Sequence, residues 1–300
     1  MSYRLNLAND PGDALRRTAT ERLDHALGAL DGVAPDERDA AVHTARKDVK
    51  KARALLRLHR SGLGRGRYRR ENAALRDAAR ELSELRDARV LLDTVDALAD
   101  HFAGRRPAAA FDALRAAIDA QPPTGTAGNP DGAVEDGRAR LSAVARRVEG
   151  WDLRGDAAAA VATGLRRSYE RGREAAREAE RRPTDEHLHE WRKRAKDLRH
   201  QQELLRDAWP KLLGAQAKAA KDLADLLGDD HDLAVLTDRM DGDPAFEELR
   251  ELVEHRRAEL QGEAFRLGRR IYAESPKRFT KRVRSYLRRA QREAPAELAA

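Results

Sequence analysis

Residues 42–53 read Val42-His43-Thr44-Ala45-Arg46-Lys47-Asp48-Val49-Lys50-Lys51-Ala52-Arg53, and residues 188–199 read Leu188-His189-Glu190-Trp191-Arg192-Lys193-Arg194-Ala195-Lys196-Asp197-Leu198-Arg199. Both stretches contain a histidine followed by cations three, four, seven and ten residues later. Apolar residues recur between these positions at helical spacing, so each stretch is predicted to form an amphipathic α-helix. We therefore expect two copies of one helical element in the fold.

The cationic positions of each copy share one side of the predicted helix. At about 100° per residue they fall within an arc of roughly 120°, and Arg57 lies on the arc of the first copy. Asp48 points away from that arc, whereas Glu203 falls on the arc of the second copy. The opposite face of the first copy is apolar and carries Ala41, Val42, Ala45, Val49, Ala52 and Leu56. A cationic face separated from a packing face indicates an extended anionic ligand.

A solvated helix surface is the simplest alternative explanation for a run of charge. Such surfaces usually mix acids with bases, because like charges at i,i+4 spacing destabilise a helix. The distribution of lysine also argues against this alternative, since the chain has 49 arginines but only ten lysines. Five of the ten lie in the two stretches, namely Lys47, Lys50, Lys51, Lys193 and Lys196.

The composition predicts an all-α protein. Charged residues make up 37% of the chain and aromatic residues 4%, as in helices rich in Ala, Leu, Arg and Glu. Long segments that alternate β-branched or aromatic residues with polar ones, as strands do, are not found. Cysteine is absent, which excludes disulfides, thiolate catalysis and Cys-ligated metal sites. We expect neither a cofactor nor a metal.

The charge balance and the N-terminus predict a cytoplasmic protein with anionic partners. The formal net charge is +7. The first six residues, Met1–Asn6, lack the apolar run of a signal peptide, and no segment has the 18 or so apolar residues of a membrane span. No association with a membrane is expected.

A segment rich in proline and glycine, residues 121–132, predicts a flexible linker. It would separate an N-terminal half, residues 1–120, from a C-terminal half, residues 133–300. Helical periodicity dominates both halves. The two halves together are expected to form one domain.

The halves resemble each other beyond the repeated histidine helix. Leu15–Arg17 matches Leu165–Arg167, and Leu82–Leu91 matches Leu227–Leu236. Ordered matches at a nearly constant offset indicate an internal duplication. We therefore predict two quasi-repeated antiparallel helical bundles, related by a pseudo-twofold axis around a basic central channel.

This ordered and duplicated set of motifs resembles the CHAD domain, a helical module named for its histidines. The motifs that carry the resemblance are His43–Arg57, Leu82–Leu91, Leu165–Arg173, His189–Arg199, Leu227–Leu236 and Gly268–Phe279. They extend over almost the whole chain. The resemblance implies paired helical bundles around a basic cavity that binds inorganic polyphosphate. Some members are fused to a triphosphate-tunnel catalytic domain; none is recognised in this sequence, so a non-catalytic role is expected.

Inorganic polyphosphate is the expected partner, because a polymer of phosphoryl charges needs many cationic donors and little apolar recognition. One wall of the site is expected to carry His43, Arg46, Lys47, Lys50, Arg53 and Arg57. The other wall is expected to carry His189, Arg192, Lys193, Lys196, Arg199 and His231. Weaker candidates are Arg17, Arg76, Arg86, Arg167, Arg173, Lys218 and Lys221. Two cellular roles are consistent with this partner. One is targeting of the protein to polyphosphate granules, and the other is attachment of other granule-associated proteins to the polymer.

The repeated histidines predict pH-dependent binding. Cations around His43 and His189 disfavour the imidazolium form in the free protein, and a bound polyanion would favour it. Binding should therefore strengthen at mildly acidic pH. A neutral histidine that donates a hydrogen bond to a carbonyl or carboxylate is the alternative.

A metal-dependent phosphohydrolase is an alternative function. The run Asp229-Asp230-His231-Asp232 contains a His-Asp pair that could hold a metal and activate water for attack on phosphate. The duplication argues against this alternative, because the counterpart of His231 is Arg86, which is not a usual metal ligand. Asp87 and Asp232 are interpreted instead as residues that begin helices or orient cations.

Nonspecific nucleic-acid binding is the second alternative. Residues 277–292 carry eight cations and no acid, enough to hold a phosphate backbone. The few aromatic residues form no recognisable stacking platform, so nucleic acid is expected only as a weak competitor. A frayed, solvated tail is the alternative explanation for the same residues.

Overall fold

The computed structural model describes residues 3–6, 10–34, 36–82, 87–103, 108–120, 130–240 and 243–293. Within these residues all regular secondary structure is helical, which confirms the predicted all-α class. The helices are α1 (Pro11–Ala29), α2 (Arg38–Leu58), α3 (Arg60–Leu63), α4 (Arg65–Glu81), α5 (Asp87–His101), α6 (Ala108–Ala120), α7 (Pro130–Ala145), α8 (Ala157–Arg181), α9 (Asp185–Leu204), α10 (Pro210–Met240), α11 (Glu247–Ile271) and α12 (Pro276–Glu293).

The first histidine stretch forms α2, with the predicted division between an apolar and a cationic face. Val42, Ala45, Val49, Ala52 and Leu56 are all fully or almost fully buried. They pack in the same core as α1, α8 and α9. Because side chains three and four residues apart share a face, this packing fixes the direction in which the cations of α2 project.

The second histidine stretch forms α9, and its first turn is fixed by local interactions. The hydroxyl of Thr184 accepts a hydrogen bond from the backbone N–H of His187 (3.3 Å), as an N-cap residue does. Asp185 and Glu186 place negative charge at the positive end of the helix dipole. The buried Trp191 then sets the rotation of α9 against the core.

The apolar residues form two separate cores, and both cores take helices from both halves. The larger core contains α1, α2, α4, α7, α8, α9, α12 and the N-terminal part of α10. The smaller core contains α5, α6, the C-terminal part of α10 and most of α11. The expected correspondence of one bundle with each half is therefore not observed. The apolar faces of helices from the two halves cover each other instead.

The predicted linker needs correction at its C-terminal end. Helix α7 begins at Pro130, so residues 130–132 belong to a helix, where proline is well tolerated in the first turn. Residues 121–129 lie outside the described part of the chain. Helix α7 packs mainly against α4 and α1, so it groups with the first half and not with the second.

The region after α4 differs between the two halves. Helix α4 ends at Glu81 and α5 begins at Asp87, as predicted for that aspartate. The corresponding region of the second half, around Gly228, lies inside the continuous 31-residue helix α10. Gly228 is therefore a helical residue.

The basic C-terminal stretch forms the packed helix α12. Phe279, Val283 and Leu287 recur at helical spacing on its buried face, which excludes a frayed tail for this part of the chain. The cations lie on the other faces. None of the helices in the described residues is both long and apolar enough to span a membrane.

Candidate anion-binding site

A cavity of about 600 Å³ lies where α2, α5, α9 and α10 meet. Its walls are formed by Arg46, Lys50, Val90, Leu91, His189, Arg192, Lys193, Lys196, His231, Asp232, Val235 and Arg239. Six of these residues are lysines or arginines, two are histidines and one is a carboxylate. We call this site the cationic cavity. Side chains from both copies of the repeated helix line it, and they include some of the residues expected for each wall.

Contacts between α2 and α9 bring the two copies together. Arg57 of α2 donates a hydrogen bond to Asp197 of α9, with 2.5 Å between Nη1 and Oδ1. The Nε2 of Gln201 donates to the carbonyl of Ala54, at 3.4 Å. Since both contacts involve largely buried side chains, they hold the α2 face close to the cations of α9.

Arg192 reaches the cationic cavity across α10. A Cβ atom on Gly228 would lie 2.9 Å from Nη2 of Arg192, too close for an unstrained contact, so the glycine makes room for the guanidinium. The Nη1 of Arg192 also lies 3.9 Å from Asp232. Asp232 therefore orients a cation, but it lies in the interior of α10 and does not begin a helix.

His189 and His231 form a pair in the wall of the cationic cavity. Their ring centroids are 4.4 Å apart. Burial is the largest cause that lowers the pKa of His189 to about 4, and His231 and the cations Lys193, Arg192 and Lys196 contribute to the same shift. Burial and Arg192 also lower the pKa of His231. Both imidazoles are thus neutral at neutral pH, and for His189 this is the direction expected from the sequence.

Lys196 is a cation of the cavity wall with a lowered pKa. Burial is the largest cause, and together with Arg192 and Lys50 it lowers the pKa of Lys196 to about 7, while Asp232 and Asp225 act in the opposite direction. Repulsion from neighbouring cations of the cavity is thus the second cause of the shift. An anionic ligand would relieve that repulsion.

Three predicted wall residues are engaged elsewhere. Arg57 is paired with Asp197, as described above. The Nε of Arg199 donates to Glu203 of the same helix, at 2.9 Å. The Nε of Arg53 lies 3.4 Å from Oδ1 of Asn72 in α4, and burial with the nearby charge of Arg57 lowers its pKa to about 10. None of the three lines the cationic cavity.

His43 and Lys47 lie on α2 but do not line the cationic cavity either. His43 is half-buried and Lys47 is exposed. The helices therefore contribute unequally to the cavity. Helix α2 supplies Arg46 and Lys50 and α9 supplies four residues, whereas α10 supplies His231, Asp232 and Arg239.

The weaker candidates do not join the cationic cavity where they are described. Arg86 lies outside the described residues. Arg76 is exposed and pairs with the adjacent Asp77 at 3.0 Å, and Lys218 pairs with Asp222 at 2.7 Å. Arg17 lines another cavity, and Arg167 is exposed on α8. Arg173 lies beside Trp191, and Lys221 is paired with Asp225.

Sequence reasoning missed Arg239 of α10. Arg239, Val235 and His231 follow at four-residue intervals on one helix, so they share a face. This spacing could have identified Arg239, but the residue has no counterpart in the repeated stretches. Arg239 adds a cation to the part of the cavity wall that α10 forms.

Outside the cationic cavity, α2 and α9 each carry an ion pair between residues three positions apart. The order of acid and base in the α9 pair is the reverse of that in the α2 pair. Asp48 and Lys51 of α2 correspond by position to Arg194 and Asp197 of α9. The first pair is 3.4 Å apart and the second 3.2 Å. Asp48 also accepts a hydrogen bond from the buried Arg22 of α1, at 3.2 Å. The prediction that Asp48 points away from the cations is confirmed.

The aspartates around His231 are divided among different surroundings. Asp230 is buried and accepts hydrogen bonds from Arg257 (3.1 Å) and Gln261 (2.8 Å). Asp229 lines a neighbouring cavity of about 310 Å³, whose wall also includes Asp232. Within the described part of the chain, no group of three or more His, Cys, Asp or Glu side chains is placed to hold a metal ion.

A larger cavity, of about 980 Å³, lies between α1, α12 and Trp209. Trp209 is 47% exposed, and its ring meets Tyr286 edge-on with centroids 4.7 Å apart. Acids and bases alternate in its walls, and Arg4 is paired with Asp207 at 2.9 Å. This balance of charge makes it a poorer site for a polyanion than the cationic cavity.

The comparisons with known proteins identify the family of the chain. A comparison with curated protein sequences gives no significant match. The family model of the CHAD domain matches residues 17–241, which is more than half of the chain and includes α2, α9 and α10. Polyphosphate binding is a known association of that family. The chain therefore belongs to the CHAD domain family.

Proposed function

We propose that this protein binds inorganic polyphosphate in the cationic cavity without breaking it down. The observation that carries the proposal is the convergence of cations from both histidine helices on one space that has a single carboxylate in its wall. The apolar residues of its wall are Val90, Leu91 and Val235, and none of the residues that line it is a Phe, Tyr or Trp that could stack on a base. It matches a ligand whose only chemistry is repeated negative charge.

The energetics of such a site favour a polymer over a single phosphate. One exposed cation–phosphate contact contributes little after solvent screening. Several contacts in a partly enclosed cavity gain from a lower effective dielectric and from release of counterions condensed on the polymer. Arginine can engage two oxygens at once, whereas lysine supplies a compact charge.

The test is a titration of the protein with polyphosphates of several lengths, ATP and DNA at two salt concentrations. We expect long polyphosphate to bind best and to displace DNA, while DNA fails to displace polyphosphate. The triple variant Lys50→Ala, Lys193→Ala, Lys196→Ala should lose binding and keep its helicity. The matched control is Lys211→Ala, Lys277→Ala, Lys281→Ala, which removes three exposed lysines outside the cavity. Equal affinity of the two triple variants would refute the site.

We also propose that binding is the whole activity and that it holds the protein at polyphosphate granules. Incubation with long-chain polyphosphate should release no orthophosphate, with or without added divalent metal. A fluorescent fusion should gather at the granules, and the cavity triple variant should not. Phosphate release that disappears in His231→Ala would support the phosphohydrolase alternative instead.

A further inference from the structure

Lys196 combines two properties that are rarely found together. It lies half-buried in the wall of a cavity suited to phosphate, beside Arg192 and Lys50. Its pKa is about 7 because burial and those two cations disfavour the ammonium form. Near neutral pH, a large share of Lys196 is therefore a free amine with an available electron pair, which makes it a nucleophile.

Two other lysines lie in different surroundings. Lys193 lines the same cavity, but its side chain is 54% exposed and its Nζ lies 3.8 Å from Glu190. Lys218 is 74% exposed and pairs with Asp222 outside the cavity. These two lysines are internal controls for the reactivity of Lys196.

We propose that Lys196 is an acylation site for small acyl phosphates, which the cationic cavity holds by their phosphate group. Such molecules carry a dianionic phosphate next to an electrophilic carbonyl carbon. The cations of Arg46, Lys50 and Arg192 would hold the phosphate, and the carbonyl carbon would then lie within reach of the Lys196 amine. The inference goes beyond polyphosphate binding and shares with it only the affinity of the cavity for phosphate.

The reaction balances without any further reactant. The electron pair of the Lys196 Nζ attacks the carbonyl carbon, and the bond between that carbon and the bridging phosphate oxygen breaks. The phosphate leaves with the bonding electron pair, the nitrogen loses a proton to water, and an amide remains on the lysine. No atom changes its oxidation state. The cations that hold the phosphate also stabilise it as a leaving group.

Acylation and polyphosphate binding would oppose each other. An amide has no positive charge, so the modified cavity loses one of its cations and binds a polyanion less well. Conversely, bound polyphosphate covers the amine and favours its protonated, unreactive form. The modification would thus release polyphosphate when acyl phosphates accumulate.

The first experiment exposes the intact protein to acetyl phosphate at pH 7.5 and follows acetylation of each lysine by peptide mass spectrometry. Because the cavity holds the phosphate of the reagent beside the Lys196 amine, we expect Lys196 to react at least about tenfold faster than Lys193 and Lys218. The rate at Lys196 should level off above pH 8, once its amine is fully deprotonated. Equal rates at the three lysines would overturn the proposal.

A second reagent separates recognition of phosphate from general amine reactivity. The N-hydroxysuccinimide ester of acetic acid transfers the same acetyl group but carries no phosphate. We expect a stronger preference for Lys196 with acetyl phosphate than with the ester, and we expect Arg46→Gln to reduce only this difference. Tripolyphosphate should slow the reaction with acetyl phosphate. An equal preference with both reagents would show that the cavity does not hold the phosphate.

The consequence for binding is tested by treating two proteins with acetyl phosphate before titration with polyphosphate. The affinity of the native protein should fall at least about fivefold, as expected for loss of one charge-assisted contact. The affinity of Lys196→Arg should be the same before and after treatment, because arginine is not acylated. A fall in both proteins would assign the effect to another lysine. Acetylation at Lys196 in a protein that fails to bind polyphosphate would refute the proposed function and leave this inference standing.

Discussion

At the scale of single residues, the cationic cavity lowers the pKa of two side chains of α9, His189 to about 4 and Lys196 to about 7. The cause is the same for both, since burial and nearby cations disfavour the protonated form. An anionic ligand provides opposite charge and raises both pKa values. Binding of polyphosphate and uptake of protons are therefore linked.

We expect polyphosphate binding to take up protons, with an affinity that rises as the pH falls. Between about pH 9 and pH 7 the uptake comes from Lys196, whose pKa rises from about 7 in the free protein to a higher value in the complex. Below about pH 6.5 the histidines contribute, because the pKa of His189 starts at about 4 and also rises. Calorimetry in buffers with different ionisation enthalpies measures the number of protons bound.

Lys196→Arg is the control for this linkage, because arginine keeps its charge and does not titrate in this range. The variant should lose proton uptake at pH 8 and retain it at pH 5.5. Absence of proton uptake at pH 8 in the native protein would contradict the prediction.

The sequence alone could identify the charges of the site but not their partners. The helical arc included Arg46, Lys50 and Lys196, which line the cationic cavity, because periodicity decides which side chains share a face. The same arc included Arg57, which pairs with Asp197, a residue 140 positions away. Periodicity within one helix carries no information about the carboxylates of a neighbouring helix.

At the scale of elements, the position of the Arg192 side chain between α9 and α10 depends on Gly228. Glycine inside a helix is less favourable than alanine by about 0.5–1 kcal/mol. In α10 that cost is offset by the space that Gly228 leaves for the guanidinium of Arg192. The reason for this glycine lies in the neighbouring helix.

Gly228→Ala should separate stability from binding. The new methyl group displaces the flexible end of Arg192, which lies 2.9 Å from the position of the added Cβ. We expect the free energy of unfolding to stay constant or to rise by up to about 1 kcal/mol, and the affinity for polyphosphate to fall about tenfold. Denaturant unfolding and a binding titration measure the two effects.

Gly262→Ala in α11 is the matched control, because its Cβ would make only an ordinary contact, 3.7 Å from Arg266. It should gain the same helix stability and bind polyphosphate as the native protein does. If Gly228→Ala bound polyphosphate with native affinity, the placement of Arg192 in the cavity would be incorrect.

Arg57→Ala should behave in the opposite way. Arg57 joins α2 to α9 through Asp197, and both side chains are largely buried, with 19% and 11% exposure. Its removal leaves Asp197 with one fewer partner, so we expect a loss of about 1–3 kcal/mol in the free energy of unfolding. Because Arg57 does not line the cationic cavity, the affinity for polyphosphate should change less than about threefold. A large loss of affinity without loss of stability would return Arg57 to the binding site.

At the scale of the whole molecule, the sequence predicted the duplication but not how the halves share their apolar surface. The repeated stretches lie on α2 and α9, and both supply the cationic cavity. The cores, however, join α5 and α6 of the first half to α10 and α11 of the second. An apolar stripe on a helix shows that it will be buried and does not show which helix will bury it.

This arrangement gathers like charges in the free protein, so salt should have opposite effects on folding and on binding. Six lysines and arginines share the cationic cavity with one carboxylate, in a chain with a net charge of +7. Salt screens their mutual repulsion and should raise the melting temperature of the free protein. The same screening should lower the affinity for polyphosphate by about 100-fold or more between about 50 mM and 200 mM salt.

In the triple variant Lys50→Ala, Lys193→Ala, Lys196→Ala the melting temperature should depend less on salt, because half of the cavity cations are gone. Thermal unfolding and binding titrations over one salt series test both effects. A melting temperature that falls with salt would show that repulsion among the cations of the cavity does not limit the stability of the free protein.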